Sequence, residues 1–362
     1  MLRAALSTAR LARWLGPWAD PVRAPSTVTE EAWIDSARTS AALRLPAEPG
    51  RAPGAIRVRL YRPRGAPRAT YLIAPGLHYA GPDDPRMDRF CRVLAAAGHL
   101  VVAPFVPSYL ALTPDAAAIA DFETVFLALP RWSSQKPVVF SVSFGSLLAF
   151  ALAAKHGDAI ERLVIFGGYA DFHETLRFCL TGAVASGRAA PRDPLNQPVV
   201  LMNLLAHLDP PCADPEAVSA AWRAYVRSTW GRPEMKARER FVAAAAAIPV
   251  PEHVRALYEV GVGVTSGAAD LALPALTRFD ARPLDPAPYL ARITNEIDLV
   301  HGTDDDVIPY EQSHALAARL ANADVRVHVT GMYGHTGASG VKLGAAAREL
   351  ATMVRVLRVL AG

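Results

Sequence analysis

The chain has 362 residues, 51% hydrophobic and 20% charged, with a net charge of +4. That length and apolar share fit one large globular domain, or a domain with a big insertion, and leave room for a sizeable core. The basic residues, nearly all arginine, are scattered among acids, which argues against a nucleic-acid partner. Cys91, Cys179 and Cys212 are an odd set without metal-ligand spacing. They read as small buried hydrophobes, so neither a disulfide framework nor a metal site is expected, and the mild inference is a reducing, cytoplasmic setting.

Residues 2–18 lack acids and read as a helix, with Ala4, Leu11, Leu15 and Trp18 on one side and Arg3, Arg10 and Arg13 largely opposite. Three readings compete: a helix docked on the body of the protein, which is favoured, a helix lying on a membrane surface, or a targeting segment. No stretch approaches the roughly 20 uninterrupted apolar residues of a membrane-spanning helix, so a soluble chain is expected. Residues 20–54 are rich in Pro and Ala, hold one expected helix over about 30–42, and end in a linker-like PAEPGRAPG. Ile56, Val58 and Leu60 alternate with Arg57, Arg59 and Tyr61, the period of a half-buried strand. Residues 69–75 are a continuous apolar run, as in a strand covered on both faces, and PGLHYAG follows.

Met87, Phe90, Cys91, Leu94 and Ala95 have helical spacing closed by Gly98, and a strand is expected over 99–106. A helix over 116–129, a strand over 137–143 and a further strand over 160–167 complete a rhythm of strands alternating with helices. Such a rhythm implies a mainly parallel sheet with helices on both faces. From Ala170 it lapses for about 125 residues, far beyond the roughly 2–6 residue loops of such folds, so an inserted subdomain is expected. Helices are predicted there over 201–208, 215–228, 235–247 and 251–260. Strand 297–301, helix 311–320, strand 325–330 and helix 341–360 close the chain.

Residues 137–150 read PVVFSVSFGSLLAF, a strand, a sharp turn with Ser143 at its apex, and a helix. Ser143 has Gly145 two positions after it and Ser141 two before. The pattern resembles the GxSxG nucleophile elbow of the α/β-hydrolase family, with Ser141 where glycine is more usual. The resemblance covers residues 56–175 and 291–362. It implies an α/β-hydrolase fold, a mainly parallel sheet with helices on both faces, and a helical cap inserted before the strand that carries the acid. The expected organisation is an N-terminal extension over 1–54, core over 55–175, cap over 176–290 and core over 291–362.

A serine hydroxyl needs a base within hydrogen-bond reach, itself oriented by a carboxylate. In the family these follow in the order Ser, Asp or Glu, His. HGTDDDVIP over 301–309 resembles the family's acid loop, and counting from Gly302 and Pro309 places Asp305 at the acid position. Asp304 and Asp306 read as turn or capping residues, with the alternative that one of them is the orienter. His335, in GMYGHTG after the final strand, resembles the terminal GH motif. The resemblance also implies that the backbone N–H groups of Leu77 and Phe144 form an oxyanion hole. His78 and Tyr79 stand as a possible pocket wall or as plain loop packing.

The implied activity is cofactor-free hydrolysis of a carboxylic ester with an apolar acyl part. Thioesterase or acyltransferase chemistry on the same architecture, peptidase activity and a catalytically silent binding protein are the alternatives. A serine at the elbow speaks against dehalogenase or epoxide hydrolase chemistry, whose enzymes place aspartate there.

Overall fold

The computed structural model describes residues 2–16, 19–35, 54–331, 333–334, 337–338 and 346–361. Helix α1 (Leu2–Leu15) and strand β1 (Val28–Asp35) come first, followed by β2 (Ala55–Arg62), β3 (Thr70–Ala74), α2 (Pro85–Ala97) and β4 (Leu100–Pro104). Next are α3 (Pro107–Leu110), α4 (Ala117–Ala128), β5 (Pro137–Val142), α5 (Gly145–His156) and β6 (Arg162–Phe166). Six helices follow: α6 (Phe172–Thr181), α7 (Gln197–Leu204), α8 (Pro215–Thr229), α9 (Arg238–Ala246), α10 (Glu252–Gly261) and α11 (Ala268–Arg278). The chain continues through α12 (Ala287–Leu290), β7 (Glu296–Gly302), α13 (Glu311–Arg319), β8 (Asp324–Thr330) and α14 (Ala346–Ala361). It divides into two units, one of Met1–Ala170, Pro286–Thr303 and Gln312–Gly362, the other of Asp171–Asp285 and Asp304–Glu311.

The first unit holds an eight-stranded sheet in the order β1-β2-β4-β3-β5-β6-β7-β8. Strand β2 pairs antiparallel with both β1 and β4, and every other pairing is parallel, so only β2 runs against the rest. Central strands β3 and β4 are buried at every position, which is why their sequences are unbroken apolar runs. On one face Tyr71, Ile73, Val101, Val138, Phe140 and Val164 join Leu11 of α1, Cys91 and Leu94 of α2, and Met353 and Leu357 of α14 in one apolar cluster. The alternate side chains point the other way, where Gly168 lies among Ile165, Ser146 of α5 and Leu316 of α13.

Helix α1 belongs to this unit's core. Leu11 is fully buried, and the buried Ser7 donates its hydroxyl to the Ala97 carbonyl at 2.8 Å while accepting from Arg68 Nη1 at 2.5 Å. Among the described residues no helix is long and apolar enough to cross a membrane.

The helix expected over 30–42 is replaced by β1, with residues 36–42 outside the described residues. Glu30, Glu31 and Ala32 favour a helix locally, but Val28, Thr29, Trp33 and Ile34 suit a pleated strand. The ladder to β2 tips the balance. Glu31 lies opposite Arg59 and takes its Nε at 2.6 Å, and Glu30 takes Arg62 Nε at 2.7 Å, cross-strand pairs that a helix could not make.

His99, between the α2 cap Gly98 and β4, is fully buried, with its ring edge-on to Tyr71 at 5.1 Å. Neither ring nitrogen has a hydrogen-bond partner among the described residues. Burial, aided by Arg68 and Arg162, pushes its pKa down to about 4. The folded chain therefore holds His99 neutral while the unfolded chain protonates near 6.5, so stability is full above that value and falls as pH drops from 6.5 through 4. The expected loss is up to about 3 kcal/mol by pH 4, and His99→Leu should flatten that dependence in urea titrations at pH 7 and pH 4.5.

The second unit is a cluster of α6 to α11 around Trp222, Tyr225 and Val226 of α8, all fully buried. A Cβ on Gly261 would fall 2.3 Å from Trp222 Nε1, so only glycine lets α10 close on the indole. The predicted helices over 215–228 and 251–260 correspond to α8 and α10, and those over 201–208 and 235–247 overlap α7 and α9. Two helices of this unit have no counterpart among those predicted. The first, α6, is capped by Asp171, which accepts from Glu174 N at 2.8 Å, and is stopped by Gly182 at φ +71°. The second, α11, carries Pro274 in its interior.

Candidate active site

Ser143 occupies the turn between β5 and α5 with φ +54°, one of two positive-φ residues other than glycine among the described residues. A side chain in that region costs about 1–3 kcal/mol and persists only where its surroundings enforce it. Here the Ser143 N–H donates to the Phe166 carbonyl of β6 at 2.8 Å, and its carbonyl accepts from Ser146 N at 3.0 Å. Gly145 makes the turn possible, because a Cβ there would sit 2.2 Å from the Ala74 carbonyl oxygen and 2.6 Å from that of Pro75. Phe144 is the N-cap of α5. Its carbonyl takes the buried Tyr109 hydroxyl at 2.9 Å, and its ring packs on Tyr169 at 5.5 Å.

The loop after β3 closes on the same turn. A Cβ on Gly76 would lie 3.2 Å from the Val142 carbonyl oxygen and 3.6 Å from Ser143 Cβ, which brings the backbone leading to Leu77 beside the elbow. His78 and Tyr79 stack at 4.5 Å between ring centroids. The His78 Nδ1 accepts from Ala80 N at 3.2 Å, and Nε2 lies 3.2 Å from an Asp84 carboxylate oxygen. Burial pushes His78 down to about 4, with Asp84 partly opposing, so the ring is neutral at pH 7. Burial works against the charge of Asp84 too, but Arg86, bound through Nε at 3.0 Å and Nη2 at 2.9 Å, holds its carboxyl below the usual carboxylate range. His78 is thus engaged within its own loop.

Asp305 lies three residues beyond β7, in the segment that belongs to the second unit. Its Oδ1 accepts from Val307 N at 2.9 Å and Ile308 N at 2.8 Å, which fixes the carboxylate against its own loop. Of its neighbours, Asp304 is exposed and Asp306 is paired with Lys236. His335 lies outside the described residues.

A serine forced into a left-handed conformation at the carboxyl end of a parallel strand, with a helix starting directly behind it and helices on both faces of the sheet, decides the architecture. The chain has the α/β-hydrolase fold. No protein-family model matches the sequence. Among solved structures the chain is similar to the acylaminoacyl peptidase of Pyrococcus horikoshii, at 9% identity and a TM-score of 0.44, over 93% of this chain and 41% of that one. It is also similar to 2-hydroxy-6-oxo-6-phenylhexa-2,4-dienoate hydrolase of Rhodococcus sp. strain RHA1, at 16% identity and a TM-score of 0.45, over 92% of this chain and 99% of that one. A serine hydrolase of Cycloclasticus zankles gives 13% identity, a TM-score of 0.42, and coverage of 91% and 98%. The chain thus spans about two fifths of the peptidase's length. Likenesses of this degree say nothing of the reaction.

Among the described residues of this α/β-hydrolase fold, no group of three or more His, Cys, Asp or Glu side chains is placed to hold a metal ion. Tyr109, whose hydroxyl braces the first turn behind Ser143, carries no sequence signal. It sits in a four-residue helix opened by Pro107 and is recognisable only once the chain is folded.

Proposed function

We propose that the chain is a serine hydrolase that cleaves carboxylic esters. The observation that carries this reading is Ser143 itself, a strained, positive-φ serine between β5 and α5 with the 75–77 loop packed against it. Strain of that kind has no use in an ordinary strand-to-helix turn, where glycine would serve without it. In the proposed reaction the Ser143 hydroxyl gives its proton to His335 and its oxygen attacks the ester carbonyl. The N–H groups of Leu77 and Phe144 hold the oxyanion, and Asp305 steadies the imidazolium. His335 passes its proton to the leaving alcohol, then draws one from water as the water oxygen attacks the acyl carbonyl, and returns it to the departing Ser143 oxygen, which releases the acid and restores the hydroxyl. No cofactor takes part.

The second unit is rich in apolar side chains, which favours esters of medium-chain or bulky apolar acids. The test pairs a fluorophosphonate probe with nitrophenyl esters of increasing chain length, an acyl thioester and an aminoacyl amide. The expected result is labelling of the wild type and turnover that rises from acetate to octanoate. A folded wild type that takes no label would sink the enzyme reading, and turnover of acetate alone would sink the apolar preference.

A further inference from the structure

The 304–311 segment is held within the helical unit by several independent contacts. Asp193 N donates to the Asp306 carbonyl at 2.8 Å, the Cys179 thiol approaches the Val307 carbonyl at 3.4 Å, and Arg188 pairs with Glu311. At the centre of this set is Lys236, in the turn ahead of α9. Its ammonium lies 3.1 Å from Asp193 Oδ2 and pairs directly with the Asp306 carboxylate. The Asp193 carboxylate is itself nearly buried and has its other oxygen committed to Leu195 N at 2.9 Å, so it offers Lys236 a fixed anchor. One cation therefore ties Asp306 to a second, rigid segment of the unit. Burial opposes the lysine's charge, but the two carboxylates outweigh it and hold its pKa above the ordinary lysine value.

We propose that Lys236 is a positioning residue for the catalytic acid, an inference that rests on the assignment of Asp305 in the proposed function. Asp305 takes its orientation from the N–H groups of Val307 and Ile308, the residues directly after Asp306. Lys236 and the Asp193 backbone fix Asp306 by its side chain and its carbonyl. Any displacement of Asp306 carries the Val307 and Ile308 donors with it and turns the Asp305 carboxylate. Lys236 thus acts on the reaction through two intervening residues, without touching substrate.

The experiment measures ester turnover against pH for Lys236→Met, Lys236→Arg, Asp306→Asn and Asp305→Asn beside the wild type. Asp306→Asn leaves the Lys236–Asp193 pair in place and so keeps a folded variant in the series if Lys236→Met unfolds. For Lys236→Met and Asp306→Asn, kcat should fall about 10- to 100-fold with KM within about twofold. The acid limb of kcat/KM should move to lower pH in both, because a carboxylate turned away from the imidazole no longer favours its protonated form. Lys236→Arg should restore most of the rate. Unchanged kcat and an unmoved acid limb in folded Asp306→Asn, with Asp305→Asn down by about 10⁴, would overturn the role of Lys236 alone. An Asp305→Asn variant of undiminished rate would remove the acid assignment and the inference with it.

Discussion

Ser143→Ala is expected to reduce ester turnover by about 10⁶-fold and to abolish fluorophosphonate labelling, because the proposed nucleophile has no local substitute. Its thermal stability should stay close to that of the wild type, since alanine at φ +54° suffers the same backbone strain as serine. Ser143→Gly separates the two effects. Glycine enters the left-handed region freely, so this variant should be equally inactive yet more stable by about 1 kcal/mol, an increase readable as a higher melting temperature. The pairing of total inactivity with a gain in stability is the signature of strain kept for chemistry. Hydrolysis by Ser143→Ala within about tenfold of the wild type would end the assignment.

The elbow could be read from sequence because the serine and the small residues that permit its turn lie within five residues, and the central strands because burial on both faces leaves an unbroken apolar run. Elements whose stability is supplied from afar were harder. Strand β1 contains two adjacent glutamates and an alanine, and what holds it extended is Arg59 and Arg62 on the neighbouring strand, about 30 residues downstream. Helix α11 hides behind Pro274, and α6 falls where the strand–helix rhythm lapses, although Asp171, Glu174 and Gly182 are start and stop signals in plain view. The site divides the same way. Counting from Gly302 and Pro309 marks Asp305 as the proposed acid among three consecutive aspartates, whereas no spacing rule connects Lys236 to Asp306, 70 residues apart and joined only by the packing of the helical unit.

The two small residues that flank Ser143 should respond to mutation in opposite senses. Gly145→Ala introduces a Cβ whose ideal position is 2.2 Å from the Ala74 carbonyl oxygen, 2.6 Å from that of Pro75 and 2.8 Å from the Ala74 carbonyl carbon. All three are backbone atoms of the β3 end, so no side chain can swing aside. Either α5 withdraws from β3, or the 75–77 loop moves off the elbow. Overpacking of this kind in a buried site costs about 1–3 kcal/mol where side chains can adjust, and the backbone collision should push the loss to about 4 kcal/mol or more. Turnover should fall in step even in the fraction that folds, because the loop carrying Leu77, the proposed oxyanion donor, is the part displaced. Ser141, at the other flank, lies in β5 between Ala74 and Ile165, fully buried, and its hydroxyl has no hydrogen-bond partner among the described residues. A buried hydroxyl without a partner is a liability of about 1–3 kcal/mol. Ser141→Ala should therefore leave turnover intact and raise the unfolding midpoint in urea. A Gly145→Ala variant as stable and active as the wild type would contradict the close approach of β3 and α5 on which the geometry of the elbow depends.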